Sequence, residues 1–165
     1  MILRCTAKML TLLGVRATAL ADAPPSGDDW YLNLLWIDRR KCLLLTHADT
    51  LFPVFVADVR KADLRPIGPY VVSLVEEHLR SEDLALDTLG RLDPGGVRLA
   101  KTASRSILGV TNETAFHARY RIEAMGGIDR SGAVLLNRFL RQTLHNRGGA
   151  YVTPLDLVAQ RLRFE

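Results

Sequence analysis

Disulfide and metal chemistry find little material in this chain. Its two cysteines, Cys5 and Cys42, form no CxxC pair, and its four histidines (His47, His78, His117, His145) show no HxH or HExxH spacing. A structural zinc site needs four Cys or His ligands at close spacing, so no metal site is expected. The thiols read instead as small buried hydrophobes, unpaired in a reducing compartment. Long apolar runs are missing as well. No segment nears the roughly 20 apolar residues of a membrane span. The opening MILRCTAKMLTLLGV also lacks the apolar stretch of about 7–15 residues that a secretory signal carries. The expectation is a cytoplasmic protein without a membrane partner. Internal repeats, heptads and low-complexity tracts are absent, as are a P-loop and carboxylates at nuclease-like spacing. No cofactor is implied.

What is present is globular. A chain of 165 residues, 48% hydrophobic and 24% charged, is long enough to bury about two thirds of its unfolded surface. One domain spanning residues 1–165 is expected. The net charge of +4 is mild but unevenly spread. Residues 76–93 carry a net of −4, with six acids against Arg80 and Arg91, whereas residues 98–147 carry +6, with nine bases against Glu113, Glu123 and Asp129. Such asymmetry suits an anionic partner, and equally a solvated basic surface.

Hydrophobic patterning predicts the elements. Residues 2–6 read as a short strand, and 7–13 as a short helix closed by Gly14. The loop 17–29 is marked by Pro24, Pro25, Ser26 and Gly27. Residues 30–37, 41–46 and 50–56 are rich in branched and aromatic residues and are separated by loops of three residues, which predicts a β-meander. Pro53 has no N–H to donate and favours an edge or a bulge. Ile67, Val71, Leu74, Val75, His78 and Leu79 form one helical stripe, with Val71, Leu74, Val75 and Leu79 expected in the core. Residues 97–101 and 105–110 read as strand-like. A helix is expected from Thr111 or Asn112 to Met125, stopped by Gly126-Gly127, and another from Asp129 or Ser131 to about Leu144. Thr153-Pro154-Leu155-Asp156 starts a last helix, with a Thr cap, Pro at the first helical position and an early acid. The fold class is α+β: a small antiparallel meander sheet with packed helices and a helical C-terminal part.

Three segments could carry chemistry. Lys101, Thr102, Ser104, Arg105 and Ser106 place two long cations and three hydroxyls within six residues, the donor set that phosphate oxygens want. A solvent-exposed turn whose hydroxyls serve local backbone explains the same residues. Arg39, Arg40 and Lys41 make a cationic hairpin tip, with Trp36 and Tyr31 available for base stacking. Charged residues are also ordinary at hairpin tips, and by parity Tyr31 and Trp36 face opposite ways, so one belongs to the core. His47 and Asp49 could form an acid–base pair, joined by His117 if the fold brings it near.

The blocks Trp30-Tyr31-Leu32-Asn33-Leu34-Leu35, Asp38-Arg39-Arg40-Lys41-Cys42-Leu43-Leu44 and Lys101-Thr102-Ala103-Ser104-Arg105-Ser106-Ile107-Leu108-Gly109 carry a resemblance. With Thr50-Leu51-Phe52 and the segment 58–65, they resemble a family of uncharacterised bacterial proteins, a domain of unknown function, over about residues 1–140. The chain departs from that pattern at Val110-Thr111-Asn112-Glu113 and in the tail from His145. The resemblance implies no activity. It implies that the cations at 39–41 and 101–106 characterise the family rather than this chain alone. The expected function is a binding module for an anionic ligand, foremost nucleic acid. The alternatives are an enzyme acting on a phosphate-containing substrate, and a protein-binding or oligomeric scaffold.

Overall fold

The computed structural model describes residues 1–164. Strand β1 (Ile2–Cys5) leads into helix α1 (Ala7–Leu13), which returns the chain to β2 (Trp30–Ile37). The meander follows as β3 (Arg40–His47) and β4 (Pro53–Val56). Helix α2 (Ile67–Arg80), strand β5 (Arg98–Lys101) and helix α3 (Arg105–Ala124) come next. Short helices α4 (Ile128–Ser131) and α5 (Ala133–Arg141), a hairpin of β6 (His145–Arg147) and β7 (Ala150–Val152), and helix α6 (Pro154–Phe164) complete the chain. This is an α+β fold, with helices dominating its C-terminal part.

The meander forms as its sequence dictates, β2 pairing antiparallel with β3 and β3 with β4. The first turn is tighter than the predicted three residues. Ile37 pairs with Arg40, leaving only Asp38 and Arg39 in the loop. Both have positive φ, 49° and 62°, the conformation that matches the twist of the flanking strands in a I′ hairpin. The third strand is shorter than predicted, because Leu51 turns into positive φ (56°) and holds residues 50–52 in the corner. Pro53 then opens β4, which lies at the sheet edge as a residue without an N–H favours.

The sheet is larger than a meander. Its order is β4-β3-β2-β1-β5, and β1 runs parallel to both β2 and β5. Parity then divides the core. Leu3, Cys5, Trp30, Leu32, Leu43 and Leu45 pack on one face with Met9 of α1, Val71, Val75 and Leu79 of α2 and Val158 of α6. Leu35, Cys42, Leu44 and Phe55 pack on the other face with Ala115, Ala118 and Ile122 of α3 and Leu136 and Leu140 of α5. The two unpaired thiols, both buried, therefore sit on opposite faces of the sheet. Leu74 differs from the sequence reading: it is half-buried, and Val72 is the further buried residue of α2.

Two more corrections concern the second half. Residues 105–110 are helical, not strand-like. Ser104 caps α3 by accepting from the Ile107 backbone N–H at 3.3 Å, which satisfies one of the four donors a helix start leaves open. The helix predicted from residue 129 or 131 to about 144 is broken by Gly132 (φ 64°) into α4 and α5, and residues 145–152 form a hairpin over Gly148-Gly149 that the sequence reading did not anticipate. The last helix starts as predicted. Thr153 and Asp156 bond reciprocally, at 3.1 Å to the Asp156 N–H and 3.0 Å from the Thr153 N–H.

Candidate functional site

β1 pairs with β2 only over Trp30 to Leu32. The Thr6 N–H donates to the Leu32 carbonyl at 3.1 Å, and α1 then carries the chain away. Strand residues alternate the direction of their backbone groups, so the N–H and C=O of Leu34 and Trp36 face the side that β1 has left. Helix α3 runs along this opening. Between them lies an open groove of about 770 Å³, formed by the start of α1, residues 33–36 of β2 and one stripe of α3. The stripe comprises Leu108, Asn112, Phe116 and Arg119, at the three- and four-residue spacing that keeps side chains on one helix face. Arg105, one turn earlier and exposed, belongs to the same stripe.

The composition of the groove is unusual for a solvated surface. Trp36 is 52% exposed and Phe116 65% exposed, although both are large apolar side chains. Lys8 and Arg119 supply cations, and no carboxylate lines it. The Lys41 ammonium sits 5.0 Å from the centre of the Trp36 ring, which draws positive charge to the ring's negative face. Past Trp36 the groove opens into a second hollow beside the end of α3, where Asp38 and Glu123 add negative charge.

The cationic segments singled out from sequence mark the two ends of α3. Lys101 ends β5 and is exposed, Thr102 is half-buried, and Ser104 is spent on the cap. Arg105 and Ser106 are exposed in the first helical turn. At the other end, Asp38 accepts from the Ile128 N–H at 2.8 Å, pinning the hairpin tip beside the end of α3. A helix of 20 residues is about 30 Å long, so the two segments share no pocket. Arg39 is exposed at the tip. Arg40 is engaged: it forms a two-pronged pair with Asp129 at 2.7 Å and a further contact with Asp58 at 3.0 Å. Those carboxylates hold its guanidinium firmly protonated and tie β3 to α4. Of the two aromatic candidates, Tyr31 is core and Trp36 is exposed.

The histidines do not converge. His47 lies fully buried against Trp30, on the α1 and α2 face, and its Nδ1 accepts from the Thr50 N–H at 3.3 Å. Burial, with Arg161 nearby, pushes its imidazole down to about 4. Asp49 pairs with Arg147 and Arg161 instead. His117 lies on α3, across the sheet, with its ring edge to Phe116. Among the described residues no group of three or more His, Cys, Asp or Glu side chains could hold a metal ion, and no helix is long and apolar enough to cross a membrane.

Sequence reading missed Lys8, Phe116 and Arg119. For Phe116 and Arg119 the signal is their helical spacing with Asn112, which an extended reading of residues 105–110 cuts off from Leu108 and Arg105; Lys8, on α1, has no comparable signal.

A family model for a domain of unknown function (DUF6933) matches residues 2–157. The chain belongs to the DUF6933 family. The match runs well past residue 140, so the β6–β7 hairpin and the first turn of α6 fall inside the DUF6933 domain, against the expectation that the tail from His145 stands apart from it. No curated protein matches the chain.

Proposed function

We propose that this protein is a cytoplasmic binding module for single-stranded nucleic acid, held along α3 in the groove between α1, β2 and the helix. The observation that carries the reading is the pairing of two exposed aromatic side chains, Trp36 and Phe116, with Lys8 and Arg119 in a groove without a carboxylate. Bases stacked on Trp36 and Phe116 would contribute about 1–3 kcal/mol each, whatever their identity. Lys8 and Arg119 would neutralise phosphates, and Lys101, Arg105, Lys41 and Arg39 would extend that contact to either end. A duplex offers no open base faces, so single strands fit this surface better. The cytoplasmic location is supported by the two unpaired thiols.

The unpaired edge at Leu34 and Trp36 also suits an extended acidic peptide added as a strand, and the test distinguishes the two. Fluorescence anisotropy is measured with labelled 12-nucleotide DNA and RNA, a duplex, and an acidic 12-residue peptide, from about 50 to 200 mM salt. Single strands should bind tightest, with affinity falling by a log–log slope of about −0.7 per phosphate neutralised. The double variant Lys8→Ala/Arg119→Ala should flatten that slope by about 1.4. Trp36→Ala should weaken binding at every salt concentration and leave the slope unchanged. Absence of binding at 50 mM salt, indifference to both variants, or a clear preference for the peptide would each overturn the proposal.

A further inference from the structure

The geometry points to a second, unrelated site: a cleft between β4, α2 and α5 built for a neutral, mostly apolar small molecule carrying one oxygen acceptor. The cavity holds about 280 Å³, and its walls include Phe55, Val56, Leu74 and Val134. A cleft of this kind, apolar with few polar groups, is the usual form of a small-molecule site.

Most of its buried polar groups are committed within the protein. The Asn137 amide is committed to the Phe55 backbone and the Ala133 carbonyl. Ser81 Oγ donates to the His78 carbonyl at 2.8 Å and accepts from Arg141. Arg141 is almost wholly buried, with one Nη 2.5 Å from Glu82 and the other 2.6 Å from His78 Nδ1. A guanidinium only donates, so His78 Nδ1 is the acceptor and the ring proton sits on Nε2. That Nε2–H has no partner among the described residues. Two other donors on lining residues have no partner among the described residues, Arg141 Nε, which is buried, and the exposed Arg138 guanidinium. The His78 donor differs in being neutral, and its tautomer is set by a buried arginine.

The charges lining the cleft balance, Glu77 and Glu82 against Arg138 and Arg141. The lining thus sums to no net charge, with Glu82 and Arg141 paired to each other, which suits a neutral ligand whose carbonyl or ether oxygen would accept from His78. Burial and the adjoining Arg141 push the imidazole down to about 4, so the donor stays neutral at neutral pH. A buried ion pair alone adds little net stability; here Glu82, Arg141 and Ser81 orient the ring.

Two probes of nearly equal shape test the inference, acetophenone and ethylbenzene, which differ in a carbonyl oxygen. Each is titrated into isotope-labelled protein while the methyl signals of Val56, Leu74 and Val134 are followed by NMR. Acetophenone should bind saturably with shifts at those methyls, and ethylbenzene at least about 10-fold more weakly, the cost of leaving the donor unpaired. His78→Phe should erase the preference. Val134→Trp, at a position 68% exposed and therefore tolerant of change, should block both probes by filling the mouth. Equal affinity of the two probes in the parent protein would remove the donor role. Shifts elsewhere, no shifts at all, or binding that survives Val134→Trp would remove the site. None of these outcomes depends on nucleic-acid binding.

Discussion

Asn137 stands in for a missing strand beside Phe55. Its Oδ1 accepts from the Phe55 N–H at 2.8 Å and its Nδ2 donates to the Phe55 carbonyl at 2.9 Å, so a side-chain amide on α5 satisfies both outward groups in the middle of β4. Edge strands expose such groups and invite other chains to pair with them. Asn137→Leu would leave both buried and unsatisfied, at about 1–3 kcal/mol each. Urea denaturation should show a loss of roughly 2–5 kcal/mol, with increased self-association by light scattering. A loss below about 0.5 kcal/mol would mean that water replaces the amide.

The two leucines of α2 should separate. Leu79 is wholly buried against the sheet, whereas Leu74 is half-buried and lines the cleft. Leu79→Ala should cost about 2–5 kcal/mol through lost burial and the cavity left behind. Leu74→Ala should cost distinctly less, because its side chain already meets an opening. Equal losses in chemical denaturation would contradict the packing described.

Stability should fall on mild acidification. His47 and His78 are both held near 4, below the ordinary 6.5, by burial first and by neighbouring arginines second. Between pH 6.5 and 4 the unfolded chain therefore binds more protons than the folded one, and stability rises with pH. Above 6.5 the contribution is complete. For the fully buried His47 it is on the order of 3 kcal/mol; the half-exposed His78 adds less. The urea midpoint should drop between pH 6.5 and 5, before most carboxylates titrate. In the folded protein the His47 ring protons should not titrate above pH 5 by NMR. A midpoint constant over that range would contradict the burial of both rings.

The thiols should be inert. Burial pushes Cys5 up to about 12 and Cys42 up to about 11, and the thiolate is the reactive form. A disulfide reagent at pH 8 should label neither in the native protein and both after unfolding. Recovery of a linked Cys5–Cys42 peptide would contradict their placement on opposite faces.

Sequence by itself determined the local structure wherever one force dominated. Alternating branched residues and short polar loops fixed β2 and β3, the stripe from Ile67 to Leu79 fixed α2, and Thr153-Pro154 fixed the start of α6, because period and capping act within a few residues. Where local forces balanced, the tertiary structure decided. Ile107 and Val110 favour extended backbone, yet the Ser104 cap and the packing of Ala115, Ala118 and Ile122 against the sheet make the whole of 105–124 a helix. The parallel partners of β1 lie 27 and 96 residues away in the chain, and no nearby residue encodes such a pairing. The site shows the same division. The cations at 39–41 and 101–106 were legible as chemistry, but their separation by the length of α3 was not. Nor was the groove, since Lys8, Trp36 and Arg119 meet only after the chain has folded over β2. Charge and aromaticity belong to single residues, whereas concavity arises only when distant segments pack together.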